Sequence, residues 1–265
     1  MSVRSKLRDF VYKISGLYIS KSAPKLQSTL PQTSRLNFGD TLTFSDLVAA
    51  AVSVKPVGLS LLQVGAYDVS SFDPIYKISS VANVKLVLIE PNAAAVNRLR
   101  TAYKNSSDVT IIESAIIDGN AGAETNLYRF SEEAVSIYPD FGGTSSLSLK
   151  HLEDAFARNK FRFDIAAKFE DLIVVDTVST LSSEDLLNKY DVKGMDVVVI
   201  DTEGADWLIL KSLLSAGLRP SLLLFESRFL KSHEIEEALL TLNNLGYLLR
   251  DLGNDTAAIR LSANR

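Results

Sequence analysis

The stretch "VVVIDTEGADW" at 197–207 decides how the chain is read. Val197, Val198, Val199 and Ile200 are consecutive β-branched residues, the pattern of a strand buried on both faces, and such strands belong to parallel sheets covered by helices. Asp201, Glu203 and Asp206 follow at once. Unpaired carboxylates are costly inside such a sheet, so the strand leaves the core here. In an open parallel sheet this edge, beyond the carboxyl ends of the strands, is also where ligands bind.

Working outward, the same alternation recurs on both sides. Upstream, the helical "TFSDLVAAAV" (43–52), with Ser45 or Asp46 as its cap, precedes the strand-like "GLSLLQVGA" (58–66). Then come "VKLVLIEPN" (84–92), the helical "AAAVNRLRTAYKN" (93–105) and "VTIIESAII" (109–117), read as one strand. Downstream, "ADWLILKSLLSAG" (205–217) reads as a helix ended by Gly217, "PSLLLFES" (220–227) as a strand and "HEIEEALLTLNNLG" (233–246) as a helix. The closing "YLLRDLGNDTAAIRL" (247–261) gives two short strands around the turn signal "GND". Repeated β-α-β units predict an α/β fold with a parallel sheet and an antiparallel tail.

The alternation loosens between 123 and 190. "AETNLYRF" (123–130) and "DLIVVDTVST" (171–180) look like strands, separated by a Gly/Ser loop "FGGTSSLSLK" (141–150) and the charged "HLEDAFARNKFRFD" (151–164). Long excursions from a compact domain are often functional, so 123–190 is read as acceptor-side elaboration of a domain spanning 44–265. Residues 1–43, a basic helical stretch and an irregular arm containing Pro24 and Pro31, are set apart as a candidate for dimerisation.

Composition narrows the chemistry. Of 265 residues, 46% are apolar, enough for one large core, and the net charge of −4 argues against nucleic acid as partner. Without Cys there are no disulfides, Cys-ligated zinc or thiol nucleophile, and with only His151 and His233 a multi-histidine metal site is strongly disfavoured. A hard cation would have to be held by carboxylates. The N-terminus lacks a signal peptide's apolar run and the window 47–66 is broken by Lys55-Pro56 and Gly58, so no membrane span is expected and the protein reads as cytoplasmic.

The strand ends supply the candidates: Gly65 with Asp68, Glu90, Glu113 with Ser114, Asp201 with Glu203, and Glu226. Gly65 allows a ligand to approach backbone amides, although a full dinucleotide fingerprint has three glycines. Glu90, ending the second strand, is placed to accept both hydroxyls of a ribose; the alternative is a solvated strand-end carboxylate favoured by the helix that follows. Asp206 suits the helix dipole and Asp201 a helix cap, but crowding Asp201 and Glu203 at a strand end favours a ligand, cation or base role. His151 falls on a polar helical face and is a secondary candidate base.

On these residues the chain resembles the FkbM-type methyltransferases, which depend on S-adenosylmethionine. The resemblance runs from about 58 to 262 and is carried by "LLQVGAYDVSSFDPI", "LVLIEPN", "IIESAIID" and above all "VVVIDTEGADWLIL", then "LLLFE" and "LGYLLRDLGNDTAAI". It implies a Rossmann-like class I methyltransferase fold: a mostly parallel seven-stranded sheet with an antiparallel C-terminal hairpin and helices on both faces. It also implies a cofactor site in which Gln63, Gly65, Ala66 and Asp68 line the methionine end. Glu90 would hold the ribose, Asn92 flank the adenine, and Ser114 and Ala115 meet the adenine edge.

Asp201 and Glu203 would sit beside the sulfonium and acceptor, as base or around a divalent cation. The acceptor implied is a hydroxyl of a sugar or glycosylated small molecule, with Ser145, Ser146, Glu226 and Tyr138 on its side. Where relatives have "GANDG" this chain has "GAYDV", with Val69 for Gly. The alternative functions are a catalytically inactive binding module on the same fold and a nicotinamide-dependent oxidoreductase. The latter is disfavoured by the incomplete glycine fingerprint and the antiparallel tail.

Overall fold

The structure is a computed structural model that describes residues 43–55, 57–67, 75–76, 83–118 and 122–260. The arm read before residue 43, as well as Asp68 and Val69, lies outside the described residues.

Helix α1 (Phe44–Val54) begins with a reciprocal cap. The Thr43 hydroxyl accepts from the Asp46 amide at 3.2 Å, and Asp46 Oδ2 accepts from the Thr43 amide at 2.8 Å. The cap therefore belongs to Thr43, not to Ser45 or Asp46, and Asp46 serves as its third-position partner. There follow β1 (Val57–Val64), β2 (Asn83–Ile89), α2 (Ala93–Ala102), β3 (Val109–Ile112), β4 (Ala115–Ile116), β5 (Glu124–Phe130), α3 (Glu132–Ile137), β6 (Ser145–Ser146), α4 (Leu149–Phe163) and β7 (Ile173–Leu181). The second half runs α5 (Ser183–Lys189), β8 (Val197–Ile200), α6 (Asp206–Ser215), β9 (Leu222–Glu226), α7 (Ser232–Asn244), β10 (Tyr247–Asp251) and β11 (Asp255–Arg260).

The main sheet has seven strands in the order β10-β11-β9-β8-β1-β2-β3. All neighbours from β3 to β9 are parallel, while β11 pairs antiparallel with both β9 and β10. This is the sheet with an antiparallel hairpin expected from the sequence. Its strands are apolar at successive positions because they feed two cores. Leu62, Val64, Val198 and Ile200 join α5, α6 and α7 on one face, through Leu186, Leu210, Leu213 and Leu242. Leu59, Leu61, Val197 and Val199 join α1 and α2 on the other, through Leu47, Val48 and Leu99. Successive side chains of a strand point to opposite faces, so a strand covered by helices on both sides must be apolar throughout.

The run 109–117 is not one strand. β3 ends at Ile112, the chain turns at Glu113 and Ser114, and β4 enters a second, four-stranded sheet ordered β4-β7-β5-β6. Ser114 is buried at this turn, and its hydroxyl donates to the Ser179 carbonyl at 3.1 Å, tying the crossing to β7. β4 pairs in parallel with the end of β7, Ala115 opposite Thr180 and Ile116 opposite Leu181. The 123–190 elaboration is therefore a folded layer. Its core gathers Phe130, Phe141, Leu152 and Phe156, with the rings of Phe130 and Phe141 stacked at 3.9 Å. Within it the Gly/Ser stretch holds the short strand β6, and the charged stretch is helix α4. Among the described residues, no helix is long and apolar enough to cross a membrane.

Opposite the cleft edge of the main sheet, Asp196 binds β1 to the start of β8. Its Oδ2 accepts from the Ser60 amide at 2.9 Å, the Ser60 hydroxyl at 2.8 Å and Lys55 Nζ at 2.6 Å. Asp196→Ala strands these donors and is expected to cost about 1–3 kcal/mol. Urea unfolding checks this; an unchanged midpoint would show that the register of β1 on β8 does not need the carboxylate.

Candidate functional site

The carboxyl ends of β1, β2 and β8 converge on a cleft of about 540 Å³ of open space. Backbone contacts stitch them together. The Ile89 carbonyl accepts from both Gly65 and Ala66, at 2.9 and 3.1 Å, and the Val64 carbonyl accepts from the Asp201 amide at 3.0 Å. Gly65, at φ +81°, lies so close to β8 that a Cβ there would stand 1.8 Å from the Asp201 carbonyl oxygen. Only glycine meets both conditions.

Glu90 is almost fully buried just beyond β2. Its Oε2 accepts from the Tyr67 amide and its Oε1 from the Asn92 amide, each at 2.8 Å. The carboxylate therefore stands fixed in the cleft wall. Tyr67 adopts φ +44°, a costly conformation for a residue with a side chain. Its ring lies 5.3 Å from the Arg98 guanidinium carbon and is the nearest neighbour of the open side of Gly143.

At the other end, the loop after β8 is held by Asp206, whose two carboxylate oxygens accept from the Thr202 and Gly204 amides at 3.1 and 3.2 Å. Ala205, not Asp201, is the N-cap of α6. Asp206 shapes the loop, and Asp201 and Glu203 are left for other work. Glu203 sits at φ +52°, with its carbonyl accepting from the Ser146 hydroxyl at 3.0 Å. Its Oε2 lies 3.0 Å from His151 Nε2.

His151 thus turns inward from α4, contrary to the polar face expected for it. Its side chain is 10% exposed, and its ring meets Phe229 edge-on at 4.6 Å. Gly204 makes room for it, since a Cβ there would lie 2.9 Å from His151 Nδ1.

The charges at this end are crowded. Asp201 lines the cleft and is exposed there, yet desolvation by the surrounding protein, reinforced by Asp206 and Glu203, pushes it up to about 7. Burial likewise pushes Asp206 up to about 6 against its amide donors, and Glu226 up to about 9, with Asp201 and Glu203 adding to the latter.

The profile of the family described as "Methyltransferase FkbM domain" matches residues 63–249, most of the chain and every residue lining this cleft. The chain belongs to that methyltransferase family. Curated protein sequences yield no match. Solved structures with a related fold include a methyltransferase FkbM from Methylobacillus flagellatus KT, at 12% identity and a TM-score of 0.42, over 76% of this chain and 43% of that one. They also include a precorrin-6y C5,15-methyltransferase from Geobacter metallireducens GS-15, at 13% identity and a TM-score of 0.40, over 84% of this chain and 92% of that one. A third is the S-adenosylhomocysteine-bound methyltransferase PaMTH1 of Podospora anserina, at 12% identity and a TM-score of 0.40, over 77% of this chain and 72% of that one.

In this FkbM domain the cleft gathers Gly65, Glu90, Ser114, Ala115, Ser145, Ser146, Asp201 and Glu203 of the residues singled out in the sequence. Others stand outside its lining, His151 and Glu226 among them. Gln63 and Ala66 are buried in and just after β1 outside the cleft lining, and Asn92 uses its side-chain oxygen to cap α2, accepting from Ala94 and Ala95. Ser114 faces the cleft with its hydroxyl already committed to backbone carbonyls. Tyr138 packs on Phe141 at 5.8 Å in the second layer and does not line the cleft.

Tyr67, Leu127, Gly143, Leu147, Thr202 and Ile209 also line it and were not singled out. Tyr67 carried a signal, being two residues past Gly65; Leu127 and Leu147 carried none, because only the second layer brings them there. Gly65→Ala is expected to destabilise the fold by on the order of 2–4 kcal/mol, the sum of positive-φ strain and overpacking. Chemical denaturation measures it, and a variant as stable as the parent would contradict the contact with Asp201.

Proposed function

We propose that this methyltransferase transfers the methyl group of S-adenosylmethionine to a hydroxyl oxygen of a sugar or glycosylated small molecule. The observation that carries the reading is Glu90, a buried carboxylate held by two backbone amides at the end of β2, facing the same cleft as Asp201 and Glu203. An acceptor of two hydroxyls at one end and a concentration of negative charge at the other fit a nucleoside bearing a sulfonium. The lining contributed by Ala115, Ile116 and Leu127 is apolar, which suits the faces of a purine base. When bound, the cofactor supplies an electrophilic methyl carbon.

The chain's own task is to align the acceptor oxygen and remove its proton, because an in-line displacement gains most from positioning. Glu203 is the proposed proton acceptor. His151, hydrogen-bonded to it at 3.0 Å, orients its carboxylate and can relay the proton onward. Asp201 and Glu203 would hold a divalent cation, since both offer hard carboxylate oxygens. Ser145 and Ser146, from β6, stand on the acceptor side of the same cleft. The net charge of −4 supports a small-molecule or saccharide acceptor over nucleic acid.

Thermal melting with S-adenosylhomocysteine tests the cofactor. Ligand at a hundred times its dissociation constant adds about 2.7 kcal/mol of stability, so the melting temperature should rise, and the rise should vanish in Glu90→Ala. No rise at millimolar ligand would make the domain an inactive relative and end this reading. For the chemistry, Glu203→Gln should lower methyl transfer from labelled cofactor to a panel of glycoside acceptors by about 10²–10⁴-fold. Turnover equal to the parent's would remove Glu203 from the role of base.

A further inference from the structure

We propose that Glu226 joins Asp201 and Glu203 to form a three-carboxylate site for one divalent cation at the acceptor end of the cleft. The catalytic use of such a site rests on the methyltransferase reading; its existence rests on the carboxylates alone.

The topology brings the residues together. β8 and β9 are parallel neighbours with Ile200 opposite Phe225, so the next residue of each strand, Asp201 and Glu226, emerges at the same edge. The turn after Asp201 then returns Glu203 to the same point. One carboxylate oxygen from each of the three lies within 4.8 Å of the other two. Carboxylates that close repel one another unless something positive lies between them.

Two buried oxygens beside the cluster have no hydrogen-bond partner among the described residues. The first belongs to Glu226, whose side chain is only 7% exposed: Oε1 is held by Arg228 Nε at 2.6 Å, while Oε2 has no donor. A carboxylate oxygen removed from water without a donor is expensive, and a cation is the partner that removes the cost and the repulsion together. The second is Thr202 Oγ1, between Asp201 and Glu203 in sequence.

The protein's own cations do not fill the role. Arg228 is a single guanidinium, paired with Glu226 and close to Asp201, with Asp206 and Asp255 adding negative charge nearby. His151 meets only Glu203 among the three, as an outer partner that orients a ligand. Neither sulfur nor imidazole is in the set, which selects a hard ion of the magnesium, manganese or calcium class. Three protein ligands leave the remaining positions of an octahedral ion for water and for oxygens of the acceptor.

Manganese(II) alone, titrated into the full chain without cofactor and followed by the paramagnetic resonance of the free ion, tests the site. One ion should bind per chain and be displaced by magnesium, and it should raise the melting temperature. Glu226→Gln should weaken binding by at least about tenfold and abolish that rise. Glu90→Ala, at the opposite end of the cleft, should keep manganese affinity while losing S-adenosylhomocysteine, which separates this site from the cofactor reading.

Absence of saturable binding at millimolar manganese would overturn the proposal. The cluster would then serve only to share protons or to face a sulfonium. Parental affinity in a folded Glu226→Gln would overturn it equally, by showing that the ion does not use the third carboxylate.

Discussion

The cleft depends on two pieces of backbone touching. Where β1 ends, Gly65 presses against the Asp201 carbonyl with no room for a side-chain carbon, while Ile89 at the end of β2 accepts from Gly65 and Ala66. These contacts lock three strand ends into one rigid corner. From that corner Tyr67 reaches Glu90, and Asp201 is delivered to the cleft floor. Side chains several strands apart in sequence thereby acquire a fixed separation, which any chemistry between two bound molecules requires.

The same corner explains how the fold tolerates so many acids. Asp206 is neutralised in effect by two loop amides, and Glu203 is oriented by His151 and by Ser146 below its carbonyl. Both φ-positive side-chain residues of the cleft, Tyr67 and Glu203, occur at the two ends of this arrangement. Strain of that kind persists only when neighbouring contacts over-determine the backbone, as the amide and carbonyl bonds do here.

Much of the main sheet was legible from Val197–Ile200 and its counterparts, because burial on both faces leaves an unbroken apolar run and the chain then announces the exit with a charge. The positions of Glu90, Asp201 and Glu203 beyond the strand ends were legible for the same reason. What could not be read was direction. In the run 109–117 nothing in residue type signals that Ser114 turns the chain into another sheet; the hydrogen bond to Ser179 that makes the turn spans distant residues. His151 looked solvated because its neighbours Lys150, Glu153 and Asp154 are, while its inward orientation is set by Phe229 and Gly204, contributed by other parts of the chain. Asn92, at a strand end, was read for a ligand but spends its oxygen on the helix it begins.

The pairing of β4 with the end of β7 has an architectural consequence. The second layer leaves the main fold at Ala115 and returns at Leu181, and these points sit side by side in one two-residue parallel ladder. A segment that begins and ends at the same place can change length and content without moving the strands that flank it, as inserted domains do. The wall bearing Ser145 and Ser146 is thus a replaceable cassette set on a fixed frame. Variation confined to it would reshape that side of the cleft while the corner built on Gly65 stays as it is.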